Sequence, residues 1–163
     1  MRKCALALLI LFFCALPTVL ASSEVFTVSH VSDGDTLTLE DGRKVRLIGV
    51  DTPEMSDESR NRRNAVRFHL NANTVHNFAW KARQFVLDQV QGKKVRLEYD
   101  RQREDKYGRT LAYVYREPDD FFLNAELVRQ GYGFDYRAFP FRYSDDFYRY
   151  EQEARDKKKG LWD

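Results

Sequence analysis

The chain has 163 residues, a length that fits one domain. Its 27 basic and 25 acidic residues give a formal net charge of only +2, which excludes a protein that holds a polyanion through its overall charge. Both cysteines, Cys4 and Cys14, lie close to the start, so a disulfide framework for the rest of the chain is excluded.

The first 21 residues have the pattern of a secretory signal peptide. Arg2 and Lys3 precede an apolar run over residues 5–15, and small residues around Ala21 suit cleavage. The run is shorter than the ~20 residues of a membrane span, although an uncleaved anchor stays an alternative. We expect export, either secreted or periplasmic, with a domain over residues 22–163 and no stable membrane association. Without Arg2 and Lys3, basic and acidic residues are equal in number, so attraction for a polyanion has to be local.

Five segments have the composition of short β-strands. Turn residues at Asp33-Gly34 and Asp41-Gly42 join the first three of them. The predicted strands cover residues 25–28, 36–39, 44–50, 94–99 and 110–115. Alternation along the third strand places Arg46, Ile48 and Val50 on one face. Five short strands of this kind predict a small closed barrel.

Three helices are predicted in addition to the strands. Apolar residues repeat at helical spacing over residues 78–90, before a stop at Gly92. A second helix is predicted over residues 123–130. A third is predicted over residues 144–159, because acidic residues stand in its first turn and lysines in its last, as the helix dipole favours. Strands followed by helices indicate the α+β class.

Three short motifs carry the chemistry of this sequence. They are Asp33-Gly34-Asp35-Thr36, the segment that runs from Arg46 to Asp51-Thr52-Pro53-Glu54, and Asp105-Lys106-Tyr107-Gly108-Arg109. Carboxylates and backbone carbonyls are the ligands that calcium takes. A guanidinium group binds phosphate oxygens through paired hydrogen bonds. A cation, a base and two arginines around one point predict a site that cuts phosphodiesters.

With these motifs in this order, the chain resembles the staphylococcal nuclease (thermonuclease-like) family over about residues 25–162. The resemblance implies a five-stranded OB-fold-type β-barrel with three α-helices. It also implies a calcium-dependent nuclease that cleaves DNA and RNA, prefers single strands and leaves 3′-phosphate ends. In such a reaction water attacks phosphorus and the 5′-oxygen leaves. We expect the protein to be a monomer.

The resemblance assigns a cation site and a base. Asp35 and Asp51 would each supply a carboxylate to Ca²⁺, and Thr52 would supply its backbone carbonyl. Glu54 would orient or deprotonate the attacking water. Two structural alternatives stay open, because Asp35 could instead cap its own turn and Glu54 could instead neutralise a nearby arginine.

The resemblance also assigns the substrate contacts. Arg46 and Arg109 would bind the phosphate and stabilise the charge that grows on it. Lys106 and Tyr107 would contact the nucleotide. Tyr136 is our choice for a second aromatic platform on which a base can stack, although the aromatic side chains could instead belong to the core.

Residues 55–75 depart from the family pattern. They are polar, rich in Asn and Arg, and directly follow Glu54, so we predict a long inserted loop beside the active site. Its arginines are Arg60, Arg62, Arg63 and Arg67. Contact with a nucleic-acid backbone and a solvated, mobile loop both remain open as interpretations.

Two rival functions differ from the nuclease. One is a catalytically inactive, nuclease-like OB-fold binding module, and the other is a secreted OB-fold domain that binds a surface or an oligosaccharide with structural calcium. An inactive copy would be free to lose some of the five residues that the reaction needs. The sequence keeps all of them, which favours the enzyme: Asp35, Arg46, Asp51, Glu54 and Arg109.

Overall fold

The computed structural model describes residues 24–163, and the predicted signal peptide over residues 1–21 lies outside the described residues. The elements in chain order are β1 (Val25–Asp33), β2 (Thr36–Leu39), β3 (Lys44–Leu47), β4 (Val50–Asp51), α1 (Glu58–Phe68), α2 (Ala72–Val90), β5 (Lys94–Glu98), β6 (Thr110–Arg116), β7 (Phe121–Phe122), α3 (Leu123–Arg129), β8 (Phe134–Asp135), α4 (Ser144–Asp156) and a 3₁₀ helix (Gly160–Trp162). No described helix combines the length and apolar character that a membrane span requires.

Five strands form a closed barrel. Antiparallel pairings connect them in the order β3-β2-β1-β5-β6, and a parallel pairing between β3 and β6 closes the ring. Alternate residues of the strands, such as Val28, Leu37, Val45 and Leu97, are buried in one core together with apolar residues of α2, α3 and α4. The predicted α+β class and the five-stranded OB-fold-type barrel are therefore confirmed.

The third strand is shorter than predicted, because the chain turns at Ile48 and Gly49 instead of continuing as a strand to residue 50. Gly49 has a φ of 75°, and a Cβ atom there would lie 2.6 Å from the ring of Phe141. Only glycine meets both conditions without strain. The break lets β4 leave the barrel and pair with β8 instead, with Asp51 opposite Phe134.

The prediction of a loop over residues 55–75 is wrong. Most of this segment is helical: α1 covers its centre, and α2 begins at Ala72, six residues before the predicted start. Residues 24–163 therefore contain four α-helices where three were predicted. Asp57 caps α1 by accepting a hydrogen bond from the backbone N–H of Arg60 at 2.9 Å. The helix lacks a clear apolar stripe because two of its three buried residues are Asn61 and Asn64.

The far end of α1 is fixed by an aromatic cluster. The ring of Phe68 stacks on that of Phe134 with centroids 4.2 Å apart, and it meets the edge of Trp162 at 5.9 Å. The guanidinium carbon of Arg155 lies 3.7 Å from the centroid of the Trp162 ring. The cluster joins α1 to β8 and to the 3₁₀ helix, so α1 is part of the packed domain.

Replacing Phe68 tests this packing. We expect Phe68→Ala to lower the free energy of unfolding by about 2 kcal/mol, because Phe68 is half-buried and a fully buried phenylalanine costs roughly 3–5 kcal/mol. Val66→Ala is the matched control, since Val66 lies on the same helix and is 78% exposed. Urea unfolding measures both variants, and equal stabilities would contradict the packing of α1.

Candidate active site

Three carboxylates from separate segments meet at one point. Asp35 lies in the turn between β1 and β2, Asp51 ends β4, and Glu54 follows three residues later. One carboxylate oxygen from each lies within 4.8 Å of the others. Asp35 and Asp51 are buried, and Glu54 is half-buried. An all-oxygen donor set of this kind suits a hard cation such as Ca²⁺.

Thr52 lies directly beside this cluster. Its backbone N–H donates to Asp35 Oδ2 at 2.9 Å, which ties the segment after β4 to the turn before β2. The two segments pack so closely that a Cβ atom on Gly34 would lie 2.9 Å from the Thr52 side chain. Thr52 therefore stands next to both predicted carboxylate ligands, as its assignment as a carbonyl ligand requires.

Arg46 is the buried counter-ion of the cluster. It projects from β3, and its guanidinium group forms ion pairs with Asp35 and with Asp51, the latter at 3.2 Å. Burial lowers the pKa of Arg46 to about 10, with the positive charges of Arg60 and Arg109 acting in the same direction and Asp51 against them. The group still carries its charge at neutral pH.

A second arginine, from the segment that was predicted as a loop, contacts the same carboxylates from α1. Arg60 forms ion pairs with Glu54 and with Asp51, the latter at 2.6 Å. Burial opposes the charge of Arg60, but Asp51 and Glu54 outweigh it and the pKa of Arg60 is raised. The three carboxylates are thus faced by two guanidinium groups.

Two asparagines of α1 complete the support of the cluster. The Asn61 side chain accepts from the backbone N–H of Glu54 at 2.8 Å and donates to the carbonyl of Glu54 at 2.7 Å. The Asn64 side chain donates to Asp51 Oδ2 at 3.1 Å. From the sequence, Arg60 is predicted only as a possible contact for a nucleic-acid backbone, and neither Asn61 nor Asn64 is predicted as a site residue. The available signal was an unbroken stretch from Glu54 to Gln91 without Gly or Pro, which favours helix over loop.

The environment of Glu54 favours a base. Burial raises its pKa, and the charges of Asp33 and Asp51 act in the same direction, while Arg60 and Arg46 act against them. A carboxylate with a raised pKa accepts a proton more readily than an exposed one does. The hydrogen bonds with Asn61 fix the backbone that carries this carboxylate.

Arg109 is held by its own loop. Asp105 accepts from Arg109 Nε at 2.7 Å, and its other oxygen accepts from the backbone N–H groups of Tyr107 and Arg109 at 2.9 and 3.0 Å. These bonds lower the pKa of Asp105 against the opposing effect of its burial. The guanidinium group of Arg109 is therefore oriented before any substrate arrives.

A cavity of about 620 Å³ lies beside the cluster. Four arginines and the predicted substrate residues line it: Arg46, Arg60, Arg63, Arg109, Lys106, Tyr107 and Tyr136. Tyr107 is strongly exposed, and the ring of Tyr136 lies 6.4 Å from that of Phe139. Among the described residues, the three carboxylates of the cluster do not line this cavity, and Arg46 and Arg60 connect the two through their ion pairs. The structure thus brings every predicted site residue to the cluster or to this cavity.

The barrel, the carboxylate cluster and the arginines beside one cavity agree with what comparison with known proteins shows. The family model described as staphylococcal nuclease homologue matches residues 44–163, and the chain belongs to this family. It is 33% identical to the thermonuclease of Staphylococcus hyicus, over 87% of this chain and 78% of the relative. It is 37% identical to the thermonuclease of Staphylococcus intermedius, over 86% and 77%. An uncharacterized endonuclease of Haemophilus influenzae is 34% identical over 99% of this chain and 79% of its own length.

Proposed function

We propose that this protein is a calcium-dependent nuclease that hydrolyses the phosphodiester bonds of DNA and RNA. The observation that carries the proposal is the cluster of Asp35, Asp51 and Glu54, whose oxygens lie within 4.8 Å of one another, next to a cavity lined by arginines. Membership of the family and the names of the thermonuclease and endonuclease relatives support it.

The donor set fits the cation. Asp35 and Asp51, with the backbone carbonyl of Thr52, would hold a calcium ion, and few protein ligands with irregular geometry suit calcium better than magnesium. When bound, such an ion neutralises charge on a phosphate and makes a water more acidic. Side chains of this protein supply the base and the groups that bind the phosphate.

Glu54 supplies the base. Its carboxylate takes a proton from the water that attacks phosphorus, and the raised pKa caused by its burial suits this task. A bond forms between the water oxygen and phosphorus, while the bond from phosphorus to the 5′-oxygen breaks in line with it. The phosphate then stays attached to the 3′-oxygen, which accounts for 3′-phosphate ends.

Arg46 and Arg109 bind the phosphate during this step. Negative charge grows on the non-bridging oxygens, and donors that are already oriented stabilise it without reorganisation. Asp105 gives Arg109 that orientation, and the ion pairs with Asp35 and Asp51 do so for Arg46. The paired carboxylates and arginines make an inactive binding module the weaker explanation of this site.

The cavity supports the choice of substrate. Its arginines can bind phosphate, which DNA and RNA share, so both polymers fit the proposed reaction. The exposed ring of Tyr107 and the ring of Tyr136 offer surfaces on which an unpaired base can stack. A base inside a duplex is not free to stack on them, which favours single strands. The pattern of residues 1–21 supports export.

Metal dependence is the first test of this function. Calcium should support the digestion of plasmid and of RNA, and chelator should abolish it. Magnesium should support it poorly, because it demands near-ideal octahedral geometry and gives up its water reluctantly. Gel analysis of the two substrates measures the effect, and equal digestion in chelator would overturn the proposal.

Substitution of the proposed base and of one phosphate arginine tests their roles. Glu54→Gln and Arg109→Ala should each lower kcat by about 10² or more, the cost of removing one group that stabilises the transition state. Glu58→Gln and Arg101→Ala are matched controls, because both residues are exposed neighbours outside the carboxylate cluster. Circular dichroism checks folding. Normal turnover in both site variants would refute the assignment of these roles.

A further inference from the structure

We propose that Arg60 competes with the cation for the carboxylates and, once displaced by it, binds a phosphate of the substrate. The inference rests on the proposed function. It adds one residue to that function, from the segment 55–75 that departs from the family pattern. Arg60 bridges Glu54 and Asp51, and it also lines the cavity that the substrate would occupy. One side chain thus reaches both the cation site and the substrate site.

Competition follows from the contacts of Asp51. Its Oδ1 atom accepts from Arg60 at 2.6 Å and from Arg46 at 3.2 Å, and its Oδ2 atom accepts from Asn64 at 3.1 Å. Both oxygens are therefore engaged by donors of this chain. These three donors fill three of the about four acceptor positions of a carboxylate, and a divalent cation bound at Asp51 repels any guanidinium group that stays beside it.

Arg60 is the donor that gives way most easily. Its side chain is 32% exposed, whereas that of Arg46 is only 9% exposed. Because the Arg60 side chain is partly exposed, it can leave its ion pairs for the open cavity, where water hydrates its charge. Arg46 has no comparable exposure to water, and Asn64 is buried.

The displaced side chain stays next to the substrate because its backbone is fixed. The Asp57 cap, the two bonds between Asn61 and Glu54, and the Phe68 stack hold α1 in place. Arg60 and Arg63 are three residues apart on one face of the helix, and both line the cavity beside Arg46 and Arg109. A phosphate in the cavity is then an anion that Arg60 can bind in place of Asp51 and Glu54.

Arg62 offers a matched control on the same helix. Its side chain is 72% exposed and forms an ion pair with Glu58 at 2.8 Å, so it belongs to neither the carboxylate cluster nor the cavity wall. Arg62→Gln removes the same charge and makes the same replacement in α1 as Arg60→Gln does. Any difference between the two variants therefore reports the position of Arg60.

The first arm of the test is calorimetric titration of calcium chloride into the wild-type protein and the two variants, without substrate. Arg60→Gln should bind calcium about tenfold more tightly than the wild type, because the competing charge is gone. Arg62→Gln should bind it as the wild type does. This readout does not depend on turnover.

The second arm measures binding of a single-stranded oligonucleotide in saturating calcium, with Glu54→Gln in every protein to prevent cutting. Arg60→Gln should weaken this binding about tenfold. It should also reduce the salt slope by about 0.7, the value for one phosphate of a single strand that the protein no longer neutralises. Arg62→Gln should leave both quantities unchanged.

Opposite shifts, with calcium tighter and oligonucleotide weaker, are the signature of the proposal. A merely structural role would weaken both, and that result would overturn it. Tighter calcium binding with unchanged oligonucleotide binding would also overturn it, because Arg60 would then be only a counter-ion. If the wild-type protein bound no calcium at all, the proposed function itself would fail, which separates that failure from an error about Arg60.

Discussion

Three carboxylates whose oxygens lie within 4.8 Å of one another repel strongly when they are charged. The structure accommodates Asp35, Asp51 and Glu54 because Arg46 and Arg60 lie against them. Breaking a buried ion pair by removing one partner is costly, since it leaves an uncompensated charge. The rest of the site depends on this balance of charge, and the same concentration of oxygen ligands is what attracts a cation.

The residues of the charge cluster are positioned by different elements of the fold. The barrel strand β3 carries Arg46, a close-packed turn carries Asp35, and the break at Gly49 takes Asp51 out of the barrel to pair with β8. Helix α1 then covers the cluster from the other side with Arg60. Because α1 packs on the last residues of the 3₁₀ helix through Phe68 and Trp162, the end of the described chain supports the active site indirectly.

The sequence allowed most of the barrel and of the site to be predicted. Strand composition and turn residues predicted the barrel, and three motifs that resemble those of the nuclease family grouped Asp35, Arg46, Asp51 and Glu54. The break at Gly49 was missed because alternation along residues 44–50 continues across it in the sequence, whereas the structure shows it in the positive φ of Gly49 and in its close contact with Phe141.

Helix α1 was missed for a different physical reason. Periodicity finds helices by their apolar face, whereas the buried face of α1 is formed largely by Asn61 and Asn64, which satisfy polar atoms of the active site. A helix that buries polar side chains for function resembles a solvated loop in its composition. Three of its four arginines lie in two different places that sequence alone could not separate: Arg60 and Arg63 line the cavity, whereas Arg62 is paired on the outer surface.

The central claim is that the carboxylate cluster is a calcium site. Calorimetric titration of calcium into the wild-type protein and into Asp51→Asn tests it most directly, with circular dichroism to show that both are folded. The account predicts one calcium bound per wild-type chain and loss of that binding in the variant, because Asp51 loses the charge and one oxygen that the cation needs. Equal calcium binding by the two folded proteins would place the ion elsewhere and contradict the account.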